Sequence, residues 1–208
     1  MNYIFLTISM ISMLTSQSDI IYPGHIIEKE EKWSILQGNS YDTWVGWLET
    51  PEIDWCRTVS VLPYSLDKVS KMIEDLNNYK NIFDRVTISN VVADDVVYIK
   101  LDMPFPISDR DYIVKYTTDK KDEYISYRFK SVNNLDIPAT SNCIRLINAT
   151  GEWYLVKVSE STTKVAYTWN GELAGDFPDW ALTKAWTKQG NEMIDWLNES
   201  LEELYKEQ

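Results

Sequence analysis

Asp102-Met-Pro-Phe-Pro-Ile-Ser-Asp-Arg-Asp-Tyr-Ile-Val-Lys-Tyr116 falls into two halves. Met103 to Pro106 cannot run as a regular central strand, because each proline lacks an N–H and fixes φ. Asp109, Arg110 and Asp111 then place three charges in three positions. They open an alternating run, Tyr112 to Tyr116, that reads as a strand. A charge cluster at a strand mouth is either a solvated strand end or the rim of a pocket. Composition alone leaves both open.

Pro104-x-Pro106, followed by Ser108-x-Arg110-Asp111 and the aromatic Tyr112, resembles the START (StAR-related lipid transfer) family. Arg110-Asp111 stands where that family carries its Arg-Asp pair. A second landmark, Gly175-Asp-Phe-Pro-Asp-Trp180, is similar to the family's Gly, Pro and Trp ahead of its last helix. The resemblance runs from about Trp33 to Leu204. It implies an α+β helix-grip fold, in which a curved antiparallel sheet wraps a long C-terminal helix around an internal hydrophobic cavity. It implies one apolar ligand and no cofactor.

Working outward, the segments upstream of this stretch read as Val86–Val92 and Val96–Met103, joined by an Asp94-Asp95 turn. Downstream come Arg110–Thr117, Tyr124–Val132, Cys143–Thr150, Gly151–Ser159 and Thr163–Asn170. With Tyr41–Glu49 and Ile53–Leu62 near the N-terminus, the count is about nine strands at antiparallel-meander spacing. Asn133–Asn142 is the longest polar break. Pro63–Leu76 reads as a helix with Ser65 as N-cap. Glu28–Gln37 reads as a short helix docked by Trp33.

The last element starts at Pro178, where a first-turn proline forfeits nothing. Leu182, Trp186, Met193, Leu197, Leu201 and Leu204 keep one helical face. Lys184, Lys188 and Glu192 fall on other faces. The spacing predicts a helix of about 26 residues, roughly 39 Å long. Gly190 lies in its middle, where it costs about 1 kcal/mol relative to Ala unless something approaches closely.

Residues 1–17 carry an apolar run from Ile4 to Leu14, the length of a signal-peptide core and too short to span a bilayer. The n-region has no Lys or Arg, and a buried N-terminal strand or helix fits the same composition. The expectation is a signal peptide at 1–17, a single domain at 18–208, and export to a periplasmic or secreted location. Without such a leader the chain is cytoplasmic.

The net charge is −12, which disfavours nucleic acid and anionic membranes. The lone histidine, His25, lies outside the domain's strands and helices, so no His-based triad or multi-His zinc site is expected. Cys56 and Cys143 have no metal spacing, and both a disulfide and two free thiols fit. Nine Trp and thirteen Tyr suit an aromatic-lined cavity or an aromatic core.

The expected function is binding of a lipid or other small hydrophobic molecule, for transfer or sensing, by a non-enzymatic monomer with transient membrane contact. Arg110 is the expected polar anchor, with an ion pair to Asp102, Asp109 or Asp111 as its other role. Tyr98, Tyr112, Tyr127, Tyr167 and Trp169 are the expected sheet lining. Trp186, Met193 and Leu197 are the expected helix lining. Phe177 and Trp180 are candidate gates, with Gly171 and Gly175 as hinges. The alternative is a START-like enzyme of the cyclase, dehydratase or hydrolase type, using acids among Asp102, Asp109, Asp111 and Glu172.

Overall fold

A computed structural model describes residues 33–38, 43–133, 135–140, 142–170, 174 and 179–206. The leader at 1–17 and the segment Glu28–Lys32 therefore lie outside the described residues, as do Phe177, Gly171, Gly175, Glu172 and Pro178.

The strands are β1 (Ser34–Gln37), β2 (Trp44–Leu48), β3 (Trp55–Leu62), β4 (Val86–Ala93), β5 (Val96–Leu101) and β6 (Asp109–Lys120), followed by β7 (Tyr124–Ser131), β8 (Cys143–Arg145), β9 (Thr150–Ser159) and β10 (Thr162–Asn170). Their order across the sheet is β1-β2-β3-β10-β9-β7-β6-β5-β4. Every neighbouring pair on that path is antiparallel. The sheet stays unclosed, with β1 and β4 at its edges, and curves around one long helix. The pairing of β3 with β10, Arg57 opposite Thr168, joins the two ends of the domain. This is the expected α+β helix-grip architecture.

Three helices occupy the concave side: α1 (Leu66–Glu74), α2 (Tyr79–Ile82) and α3 (Leu182–Tyr205). Ser65 caps α1 by accepting from the Lys68 amide at 3.4 Å. A 3-10 turn at Asp179–Ala181 leads into α3. At 24 residues α3 is close to the expected length. No helix among the described residues is long and apolar enough to cross a membrane.

Two assignments are corrected. Ser34–Gln37 is an edge strand on β2, not a helix end. Its main chain pairs along β2, and the Gln37 and Asn191 side-chain amides exchange two hydrogen bonds of 2.9 Å, tying β1 to α3. Tertiary pairing overrides the helical bias of the charged lead-in. The run Cys143–Thr150 is not one strand. Cys143–Arg145 is a short strand that lies parallel to the start of β6, where β7 has already ended, and Thr150 belongs to the next strand, β9. The break at 133–142 is also more than a polar loop. Leu135 and Ile137 cover Val96, Tyr98 and Ile113 on the convex face as a second, smaller core.

Candidate functional site: an aromatic cavity beneath the C-terminal helix

Period-2 alternation decides what each strand offers the concave side. On β6, Arg110, Tyr112 and Tyr116 point inward. On β9 and β10, Trp153, Tyr167 and Trp169 do so. Tyr79 and Phe83, around α2, extend the wall. These rings form a continuous ladder. Tyr79 meets Phe83 edge-on at 5.1 Å, and Phe83 stacks on Trp153 at 5.8 Å. Trp153 then meets Tyr167 at 4.2 Å, and Tyr167 stacks on Trp169 at 4.9 Å. Offset and edge-on contacts of this kind hold aromatic rings in fixed orientation.

The enclosed space measures about 420 Å³. Met103, Pro104 and Ile107, from the proline-bearing loop between β5 and β6, form one part of its boundary. Gln189, Met193 and Trp196 of α3 form the opposite wall. Lys184, Lys188 and Glu192 lie on the same stripe. Glu192 receives a bidentate pair from Arg85, both contacts at 2.9 Å, which ties α3 to the start of β4.

Arg110 and Asp111 part company at the strand. Arg110 is 1% exposed and faces the cavity. Its guanidinium donates to the Ser108 carbonyl and, at 2.9 Å, to the Ala174 carbonyl. It thereby joins the start of β6 to the β10–α3 connection. Burial lowers its pKa from the usual arginine value. Asp111 points to the convex side, where Arg145 grips it at 2.6 and 2.9 Å. Tyr98 donates to the same carboxylate at 3.0 Å. Asp109 is held by Lys100 at 2.8 Å, and that contact keeps its carboxyl below the ordinary range. Of the suggested acids, Asp102, Asp109 and Asp111 are absent from the cavity lining.

Five of the residues expected to line the cavity are brought together there: Arg110, Tyr112, Tyr167, Trp169 and Met193. Five others lie elsewhere. Tyr98 is on the convex face, one residue out of phase with the inward-pointing Ile99. Tyr127 points inward but lies under α1, where its hydroxyl donates to Glu74 at 2.7 Å. Trp186 stacks on Trp47 at 3.6 Å, in the seam between α3 and β2. Leu197 is fully buried in the core outside the cavity lining. Trp180 is 85% exposed.

Tyr79, Phe83, Tyr116, Phe129, Trp153 and Trp196 line the cavity without having been singled out from sequence. Alternation on β6 and β9 carries the signal for Tyr116 and Trp153. Tyr79 opens the four-residue helix α2 and Phe83 caps its end, an element too short to show a helical repeat. Burial raises the pKa of Tyr79, Tyr112, Tyr116 and Tyr167 well above the ordinary tyrosine value. The cysteines are free thiols, with Cys56 buried in the core and Cys143 on β8. Among the described residues, no group of His, Cys, Asp and Glu could hold a metal.

The curved sheet closed by a long C-terminal helix over a cavity is the START-like fold. A STAR-related lipid transfer protein from Xanthomonas axonopodis superposes with a TM-score of 0.71 at 22% identity, covering 82% of this chain and 99% of that one. Human StAR-related lipid transfer protein 5 gives 0.73 at 14% identity, covering 86% and 90%. The Zhui aromatase/cyclase from Streptomyces gives 0.51 at 15% identity, covering 71% and 93%. These likenesses concern the fold. An uncharacterized protein of Pseudomonas aeruginosa is 33% identical over 88 residues, which span 42% of this chain and 44% of that protein. No family model matches the sequence.

Proposed function

We propose that this chain is a non-enzymatic, monomeric carrier or sensor that holds one lipid or other small hydrophobic molecule inside its cavity. The aromatic ladder beneath α3 carries the reading. It is a pre-shaped, mostly apolar wall, and apolar walls with a few placed polar groups are the common form of small-molecule sites. Removing about 300 Å² of apolar ligand surface from water contributes roughly 7–8 kcal/mol at about 25 cal/mol per Å². Association and ordering costs bring the net to about the micromolar range. The lipid-transfer names of the structural relatives agree with this reading.

Loading requires a route past the loops. Phe105, 97% exposed, adjoins the cavity-lining Pro104, and Trp180 adjoins the cavity-lining Ala181. Exposed aromatics of this kind partition into the membrane–water interface. In this proposal they make a transient membrane contact while the ligand passes. Export through the leader at 1–17 belongs to the same proposal, and N-terminal sequencing of the mature protein tests it.

The enzymatic alternative draws on the cyclase neighbour and on the Tyr112 and Tyr167 side chains at the cavity wall. Turnover of a polyketide-like or ester substrate would favour it.

Native mass spectrometry of the purified chain tests the carrier proposal. A co-purified mass of drug-like size, released on denaturation, is the expected result. A clean apo mass, together with no saturable tryptophan-fluorescence change on adding fatty acids, sterols or phospholipids, would remove it.

A further inference from the structure

The charge along the α3 side of the cavity is opposite to that of the protein as a whole. The chain carries −12. Yet the described residues that line the cavity include Arg85, Arg110, Lys184 and Lys188 against a single carboxylate, Glu192. Arg85 and Glu192 neutralise one another through their bidentate pair. Lys188 lies 3.6 Å from Glu192, with its side chain 65% exposed. Lys184, one turn earlier on the same stripe, forms no ion pair among the described residues. Asp102 offsets part of the field at Arg85. Two lysines on one helical stripe, spaced by four residues, thus leave this wall positive.

That stripe cannot swing away easily. The neighbouring face of α3 is fastened to β2 by the Trp47–Trp186 stack. Behind the lysines the walls are mainly apolar and aromatic, and a cation among them, Arg110 on β6, donates to the Ser108 and Ala174 carbonyls. A pocket of about 420 Å³ is toward the small end of the roughly 300–1,000 Å³ range of small-molecule sites. It suits one acyl chain or a few fused rings better than a two-chain lipid.

Resting on the carrier reading, we infer that the ligand is a compact amphiphile with a single anionic group, a carboxylate or a phosphate. The anion sits against Lys184 and Lys188, within reach of Arg85, and the apolar body lies on the aromatic ladder. Both lysines are exposed at the edge of the cavity, so salt screens their attraction for the anion, while the apolar walls behind them focus the field toward it. An incoming anion also competes with Glu192 for Arg85.

The test is a set of titrations of the delipidated full chain, followed by tryptophan fluorescence at about pH 8, where a carboxylic acid is ionised. The probes are tetradecanoate, tetradecanol, tetradecyltrimethylammonium and inorganic phosphate. Tetradecanoate is expected to bind roughly tenfold more tightly than tetradecanol, a difference of about 1.4 kcal/mol, and the cation more weakly than both. In K184Q/K188Q the carboxylate and alcohol affinities are expected to come within about twofold of each other, and K184E/K188E is expected to reverse their order. Circular dichroism verifies that both variants are folded. Equal wild-type affinities for carboxylate and alcohol would overturn the inference and leave the carrier reading standing. So would an unchanged ratio in a folded K184Q/K188Q. Saturable binding of inorganic phosphate alone would make this an ion site and overturn the amphiphile assignment. If none of the three chains binds, the inference and the carrier reading fall together.

Discussion

Along α3, Trp186, Ile194, Leu197 and Leu201 are at most 3% exposed and form the stripe that is buried as ordinary core. A fraction of a turn away, Gln189, Met193 and Trp196 remain only partly buried and face the cavity, with Lys184, Lys188 and Glu192 beside them. Both stripes belong to one helix, yet they are under different constraints. The core stripe is selected for close fit against β2 and β3. The cavity stripe must leave space and tolerate contact with a changing occupant, so it mixes apolar, amide and charged side chains. Strong hydrophobic periodicity therefore marks the packed seam of such a helix, and the more mixed stripe marks the cavity.

The largest expected effect tests that seam. Leu197→Ala removes a fully buried side chain and is expected to cost about 3 kcal/mol, whereas Met193→Ala costs under about 1 kcal/mol. Urea-unfolding midpoints check this, and equal losses would mean that the two stripes are equally packed. Gly190→Leu comes next. A Cβ there would meet Thr58 Cβ at 3.2 Å, Val45 Cγ2 at 3.3 Å and the Trp169 ring at 3.4 Å. The larger side chain is expected to destabilise the domain by about 2 kcal/mol, read from the same unfolding curves. Wild-type stability would show that the seam has slack.

The sheet side of the cavity gives a test in pH. Tyr112, Tyr116 and Tyr167 all have pKa values raised chiefly by burial. Unfolded tyrosines ionise near pH 10. Because the folded values are higher, this contribution to stability is intact below about pH 10 and is lost as pH rises above it, toward the folded values. Tyrosinate absorbance is expected to rise in two stages, with the buried group appearing only on unfolding. Free, reversible ionisation of all tyrosines near pH 10 would mean that the cavity wall is wet. The smallest signal comes from a brominated fatty acid. Its quenching of tryptophan emission is expected to fall in Trp196→Phe and to persist in Trp186→Phe. The reverse pattern would exchange the roles of the two stripes.

Much of the fold was legible because its signals are local. Alternation marked the meander, Ser65 marked the start of α1, and the apolar repeat from Leu182 to Leu204 marked α3, although Leu204 at its end is exposed. The proline-bearing loop at 103–106 also declared itself, since proline cannot sit in a central strand. Less of the site was legible. Tyr112, Tyr167 and Trp169 follow from alternation once the concave side is known, but Tyr98 was placed one residue out of phase. Tyr127 has the right face and the wrong neighbour, because α1 covers it. Trp186 and Leu197 have the right helix and the wrong stripe.

What the sequence by itself determined is the set of elements and their periodicity, since hydrogen-bonding geometry and side-chain spacing act over a few residues. That was enough for a curved antiparallel sheet with a long closing helix. The tertiary structure alone decided which amphipathic face meets the core and which meets the cavity. It also decided that Arg110 turns inward to a distant carbonyl while Asp111 turns outward to Arg145, 34 residues away. Those outcomes depend on packing between elements remote in the chain, and burial follows from what lies opposite a side chain as well as from what precedes it.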